Sequence, residues 1–239
     1  MIKFASIWEQ PGDTAALDRW YRTTHSREAM LFGSPWMRRY WAYRGYNVPS
    51  EADMVGASRY RLTETWYDGE PEMREMMRAF YQLSPPPRTL ADPSRTRITQ
   101  IYVAAIPDQR FKDGWPRERP EYFRWVFFLA DPEGVDETSV ERWFVEDFAG
   151  PLADRAEVKR FVCSRNVTPL TRAQPWRRMC EVWFEDYESF KRAVLEGEHR
   201  APAWSQTFPY MPIISIFTPQ APDMDFLRDN YGLPLGWGQ

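Results

Sequence analysis

The segment Arg61-Leu62-Thr63-Glu64-Thr65-Trp66-Tyr67-Asp68 returns as Arg178-Met179-Cys180-Glu181-Val182-Trp183-Phe184-Glu185, an offset of 117 residues. Both copies run arginine, apolar residue, glutamate, tryptophan, aromatic residue, acid in the same order. A second correspondence lies upstream of each copy: Leu17-Asp18-Arg19-Trp20-Tyr21 matches Val140-Glu141-Arg142-Trp143-Phe144 at an offset of 123. Agreement of order and residue type at two places indicates one structural unit present twice in the chain.

Alternation within each copy is that of a strand, so Glu64 shares a face with Leu62 and Trp66, and Glu181 with Met179 and Trp183. Outward from the first copy, residues 2–8 read as a strand, and Gln10-Pro11-Gly12-Asp13 as a turn whose Asp13 or Thr14 can cap a helix. Leu17, Trp20, Tyr21, Thr24 and Ala29 recur at helical spacing to about Leu31. Residues 34–46 and 57–67, rich in rings, threonine and arginine, read as two strands. A helix over 70–82 carries Met73, Met76, Met77 and Phe80 on one face, and a strand over 98–106 follows. The order βαββαβ recurs in the second half, with strands at 121–130, 158–167, 178–184 and 212–217 and helices at 136–154 and 187–196. The expected organisation is a first unit at 1–106, a linker at 107–120, a second unit at 121–218 and a tail at 219–239.

A lone βαββαβ unit makes a four-stranded antiparallel sheet with both helices on one face and leaves the other face open. Two units can close their open faces on each other. The expected fold class is therefore α+β, two tandem ferredoxin-like βαββαβ units whose antiparallel sheets pack face to face as a dimeric α/β-barrel-like pseudo-dimer. Twelve Trp, twelve Tyr and fifteen Phe make up 16% of the chain, more than filling a core requires. A ring-walled cavity between the sheets is the expected binding site.

Other features narrow the function. The 31 basic and 34 acidic residues leave a formal charge of −3 and are interspersed, so no field of one sign would draw nucleic acid or an anionic membrane. No apolar run reaches the roughly 18 to 20 residues needed to span a bilayer, and Met1-Ile2-Lys3-Phe4 enters a strand without a leader pattern. A cytoplasmic location is the expectation. Cys163 and Cys180 lack CxxC spacing and read as buried free thiols in a reducing compartment. Two histidines without an acidic ligand cluster suggest no metal site, and the sequence has no GxGxxG, no P-loop and no nucleophile elbow. The expected partner is a small hydrophobic molecule. Pairing of whole chains into a homodimer through outer surfaces is compatible with such a fold.

His25 is the first candidate for chemistry, since an imidazole of ordinary pKa near 6.5 exchanges protons at neutral pH. The competing reading is a helix C-terminal cap. Its counterpart at the 123-residue offset is Phe148, so one half alone carries the histidine. Glu64 lies on an apolar strand face and needs a cationic partner, with Arg61, Arg59 or Arg38 as candidates. It could equally orient His25 or act as a second acid/base group. Tyr43 is a third catalytic candidate, a phenol able to donate to a substrate carbonyl. Trp8, Tyr40, Trp66, Arg61 and Trp183 are the expected substrate-binding side chains. His199, in a turn after the last helix, reads as solvated.

Lys3-Phe4-Ala5-Ser6-Ile7, the Pro11-Gly12 turn and the Trp20 to His25 spacing together resemble the EthD-domain branch of the dimeric α/β-barrel superfamily. The resemblance implies ferredoxin-like units paired into a barrel, with His25 as the site histidine. It also implies cofactor-independent chemistry on a hydrophobic aromatic or lactone-like substrate, of lyase, isomerase or cyclase type. A cofactor-free monooxygenase, or a binding protein for haem or an aromatic ligand, is the alternative.

Overall fold

The structure is a computed structural model and describes residues 1–10, 14–85, 96–114, 121–169, 175–196 and 213–227. Residues 11–13 of the expected turn, residues 115–120 of the expected linker, and His199 lie outside the described residues. The first half forms β1 (Ile2–Glu9), α1 (Ala15–Trp20), α2 (Ser26–Gly33), β2 (Met37–Arg44), β3 (Ala57–Ser58), β4 (Arg61–Tyr67), α3 (Glu70–Ala79) and β5 (Arg97–Ala104). The second forms β6 (Gln109–Asp113), β7 (Phe123–Ala130), α4 (Glu137–Arg142), α5 (Gly150–Asp154), β8 (Val158–Arg165), β9 (Trp176–Phe184), α6 (Tyr187–Phe190), β10 (Ile213–Pro219) and β11 (Met224–Leu227).

Two sheets result, ordered β11-β2-β4-β1-β5 and β3-β10-β7-β9-β8-β6. Strand alternation sorts their side chains into three layers. Phe4, Trp8, Tyr40 and Tyr67 turn toward the helices of the first half and pack with Leu17, Trp20, Met30 and Met76. Trp125, Phe127, Phe161 and Val182 do the same in the second half with Phe144, Phe148 and Phe190. Between the sheets, Ala5, Ile7, Leu62 and Val103 meet Val126, Phe128, Met179 and Ile216. The Tyr46 N–H donates to Phe217 O at 2.8 Å along one seam, and Val167 N–H donates to Tyr102 O at 2.8 Å along the other, closing a barrel-like shell. The fold is the ferredoxin-like dimeric α/β-barrel, as the repeat implied.

Several elements differ from their expected bounds. The strand expected over 57–67 is broken: β3 leaves the first sheet and pairs in parallel with β10, Ser215 opposite Ala57. Gly56 permits the departure, for its φ of 64° is left-handed and its Cα approaches the Ile213 carbonyl too closely for a Cβ. Within the stretch expected to be linker, β6 extends the second sheet along β8, and within the expected tail, β11 extends the first sheet along β2. Each covers an edge that would otherwise expose unpaired backbone groups. The first helix does not stop near His25. It passes through a π turn at Tyr21–His25 and continues as α2 to Gly33, so His25 is mid-helix and caps nothing.

Candidate functional site: a helix–sheet cleft and an inter-sheet chamber

Registers within the two sheets align the halves residue by residue. Ala5 faces Glu64 in the first and Val126 faces Glu181 in the second. Both halves also carry a π turn after their first helix, Tyr21–His25 and Trp143–Ala149. A π turn inserts one extra residue and re-aims the side chains that follow. In the first half it directs His25 down onto the sheet, where the imidazole lies 5.0 to 5.3 Å, centroid to centroid, from the rings of Tyr21, Trp8 and Trp20.

Beside His25 a cleft of about 150 Å³ runs between helix and sheet. Ser6, Trp8, Tyr40, Thr63 and Gln100 give it polar atoms, Phe4, Met77 and Phe80 apolar walls, and among the described residues no Asp, Glu, Lys or Arg lines it. His25 is 8% exposed and makes no hydrogen bond among the described residues, leaving its ring nitrogens available to a ligand. Burial drives its pKa down to about 4, against a weaker opposing pull from Glu28, so the imidazole is neutral at pH 7. Beneath the cleft lining, the buried Tyr21 hydroxyl bonds Tyr40 Oη at 2.5 Å and Thr63 Oγ1, while Trp8 Nε1 donates to Ser6 Oγ at 3.1 Å. Burial raises both phenol pKa values, so both hydroxyls keep their protons.

The second half fills the corresponding space with apolar side chains. By register and helix offset, Ser6, Tyr21, His25, Tyr40 and Thr63 correspond to Phe127, Phe144, Phe148, Phe161 and Cys180. All five are apolar, at most 3% exposed, and belong to one packed cluster. Phe148 fills the position of His25, with ring centroids 5.9 to 6.4 Å from Phe144, Phe127 and Phe161.

On the opposite face of the first sheet lies a second space, an inter-sheet chamber of about 330 Å³ walled by Trp41, Tyr43, Trp66 and Trp183. Four buried charges form its floor. Lys3 Nζ meets Glu64 at 3.1 Å and Glu181 at 2.6 Å, and Arg124 meets the same two carboxylates at 2.9 and 2.5 Å. Burial alone would raise the Glu181 pKa, but Arg124 and Lys3 outweigh it and hold the carboxyl at about 2. Burial likewise disfavours the Lys3 ammonium, and the two carboxylates more than compensate. Tyr43, pushed upward by burial and by Glu64, stays protonated. Among the described residues the quartet is a closed ion network that ties the two sheets together.

The residues expected around one cavity are thus divided between two. His25, Trp8 and Tyr40 share the helix–sheet cleft, whereas Glu64, Tyr43, Trp66 and Trp183 line the chamber behind it. The partners expected for Glu64 are engaged elsewhere. Arg38 pairs with Asp68, Arg59 with Asp53, and Arg61 with Asp18 and Asp223. Arg61 is one position from Leu62 and therefore faces the helices, its guanidinium 4.4 Å from the Tyr21 ring centre. Its counterpart Arg178 repeats this with Glu141 at 2.6 Å and the Phe144 ring at 3.8 Å. Both arginines brace the first helix of their half. Ser6, Tyr21, Thr63 and Gln100 were not singled out from the sequence. The replacement of Thr63 by Cys180 inside the repeat was the available signal.

The fold defines the class, a ferredoxin-like dimeric α/β-barrel, here with a helix–sheet cleft in the first half. The family described as the chalcone isomerase N-terminal domain matches residues 6–87 of this chain, rather than the EthD family. Among solved structures, an anthrone oxidase-like protein superposes with a TM-score of 0.59 at 7% identity, over 95% of this chain and 93% of that one. A variant of the chlorite dismutase of Candidatus Nitrospira defluvii superposes with a TM-score of 0.50 at 8% identity, over 100% and 95%. At such identities the likeness is one of fold. No curated protein matches the chain. Among the described residues no helix is long and apolar enough to cross a membrane, and no group of three His, Cys, Asp or Glu could hold a metal.

Proposed function

We propose that the protein is an acid/base enzyme of isomerase or lyase type, acting on a small uncharged aromatic substrate in the His25 cleft. The observation that carries this reading is the one-for-one replacement of Ser6, Tyr21, His25, Tyr40 and Thr63 by packed apolar residues in the second half. The fold does not need polar groups at these positions, so the first half keeps them at a cost in packing. All five lie inside the segment matching the chalcone isomerase N-terminal domain, as does the Trp20 to His25 spacing shared with EthD domains.

Isomerisation takes a proton from one substrate atom and returns it to another. His25, neutral and without a hydrogen-bonding partner among the described residues, is the base that receives it. Tyr40, its hydroxyl held by Tyr21, donates to the substrate oxygen on which negative charge develops. Lyase and cyclase reactions open with the same proton removal. The chamber contributes no base, because both its carboxylates are tied into the quartet.

A hydroxychalcone is the first probe, its conversion followed by loss of the enone absorbance. His25→Gln is expected to lower kcat/KM by about a hundredfold or more, and Tyr40→Phe by about tenfold. Turnover of the preferred substrate by His25→Gln at nearly the wild-type rate would refute the assignment. Stoichiometric oxygen uptake during turnover would favour an oxygenase, and a Soret band in the purified protein a haem-binding role.

A further inference from the structure

The chamber between the sheets takes no part in that chemistry, yet it is built as a site. Its volume of about 330 Å³ reaches the ~300–1,000 Å³ range of small-molecule pockets, whereas the His25 cleft is half that size. Indole walls come from both sheets, Trp41 and Trp66 from the first and Trp183 from the second. The space between them suits a planar ring system.

Charge decides what the ring carries. The floor quartet is neutral as a unit, two cations against two carboxylates. Guanidinium groups stack on the indole walls: that of Arg39 lies 4.5 and 5.7 Å from the ring centres of Trp41 and Trp66, and that of Arg160 lies 4.9 Å from that of Trp183. Arg39 has no carboxylate within ion-pair distance among the described residues. Asp113 serves both Arg160, at 3.3 Å, and Arg110, at 2.5 Å. Trp41 Nε1 donates to Asp225 Oδ1 at 2.6 Å beside them, so Arg39 is the guanidinium of this wall that lacks a carboxylate among the described residues. A guanidinium stacked on an indole keeps its N–H edge free and planar, the geometry that takes a carboxylate with two hydrogen bonds.

We infer that the chamber is a second binding site, separate from the His25 cleft, for an aromatic carboxylate. The rings enter between Trp66 and Trp183, and the carboxylate meets Arg39 and Arg160 at the rim. Thr63 and Glu64 are consecutive in β4 and point to opposite spaces, so a single strand forms a wall shared by the two sites.

Calorimetric titration of the full chain with naphthoate, against its uncharged methyl ester, tests this directly. Naphthoate is expected to bind at a single saturable site, and the ester at least about tenfold more weakly, a ratio that needs no variant. Arg39→Gln and Arg160→Gln, both at partly exposed positions, are expected to weaken naphthoate about tenfold each while leaving the ester unchanged. His25→Gln is expected to leave naphthoate affinity unaltered. Equal affinity for acid and ester, absence of saturable binding, or loss of naphthoate binding in His25→Gln would each overturn the inference, the last by placing the acid in the cleft.

Discussion

His25 shows how far one side chain's behaviour depends on its surroundings. Burial among three aromatic rings removes the solvation its cation needs, so its pKa falls from 6.5 to about 4. The acid limb of kcat/KM is then expected near pH 4, well below the ordinary histidine value, in a pH–rate profile of the wild type. Stability follows the same shift. The unfolded chain binds the His25 proton below pH 6.5 and the folded chain only near pH 4, so the contribution is complete above 6.5 and is lost as pH falls through this window. A loss of about 3 kcal/mol from this group is expected in denaturant titrations of the wild type between pH 6.5 and 4, and none of it in His25→Gln. Histidine identity and rarity were legible in the sequence. Its depressed pKa was not, because desolvation comes from residues brought together by the fold.

Among the elements, β4 and β9 carry the repeated motif, and their glutamates do structural work that the strand pattern half revealed. Alternation placed Glu64 correctly with Leu62 and Trp66 on the inter-sheet face. It could not supply the partners, since Lys3 stands 61 positions before Glu64 and Arg124 60 positions after it, on β1 and on β7 of the other sheet. Glu64→Gln leaves two buried cations sharing one carboxylate, and a destabilisation of about 3 kcal/mol is expected by chemical denaturation. Glu64→Gln combined with Lys3→Met restores the count of charges and is expected to recover part of that loss in the same measurement.

For the whole molecule, the halves are joined by more than packing. β3 of the first half completes the second sheet, β11 from the chain's last described segment completes the first, and Asp223 reaches Arg61 at 3.1 Å. A chain ended at Pro219 loses β11 and Asp223 together and leaves the β2 edge bare. It is expected to show a lower Tm than the full chain and faster hydrogen exchange in β2, read by mass spectrometry.

By itself the sequence determined the repeat, the βαββαβ order in each half and the pairing of their sheets, because strand and helix periodicities are local and an uncovered apolar face must be buried. It also singled out His25, through the Phe148 that replaces it. Tertiary structure decided the rest: β3 and β11 crossing between halves, the π turn that keeps His25 within a continuing helix, and the division of the expected cavity into a cleft and a chamber. That division follows from parity. Neighbouring residues of one strand, Thr63 and Glu64, point to opposite faces, and only the packed sheets show that both faces enclose usable space.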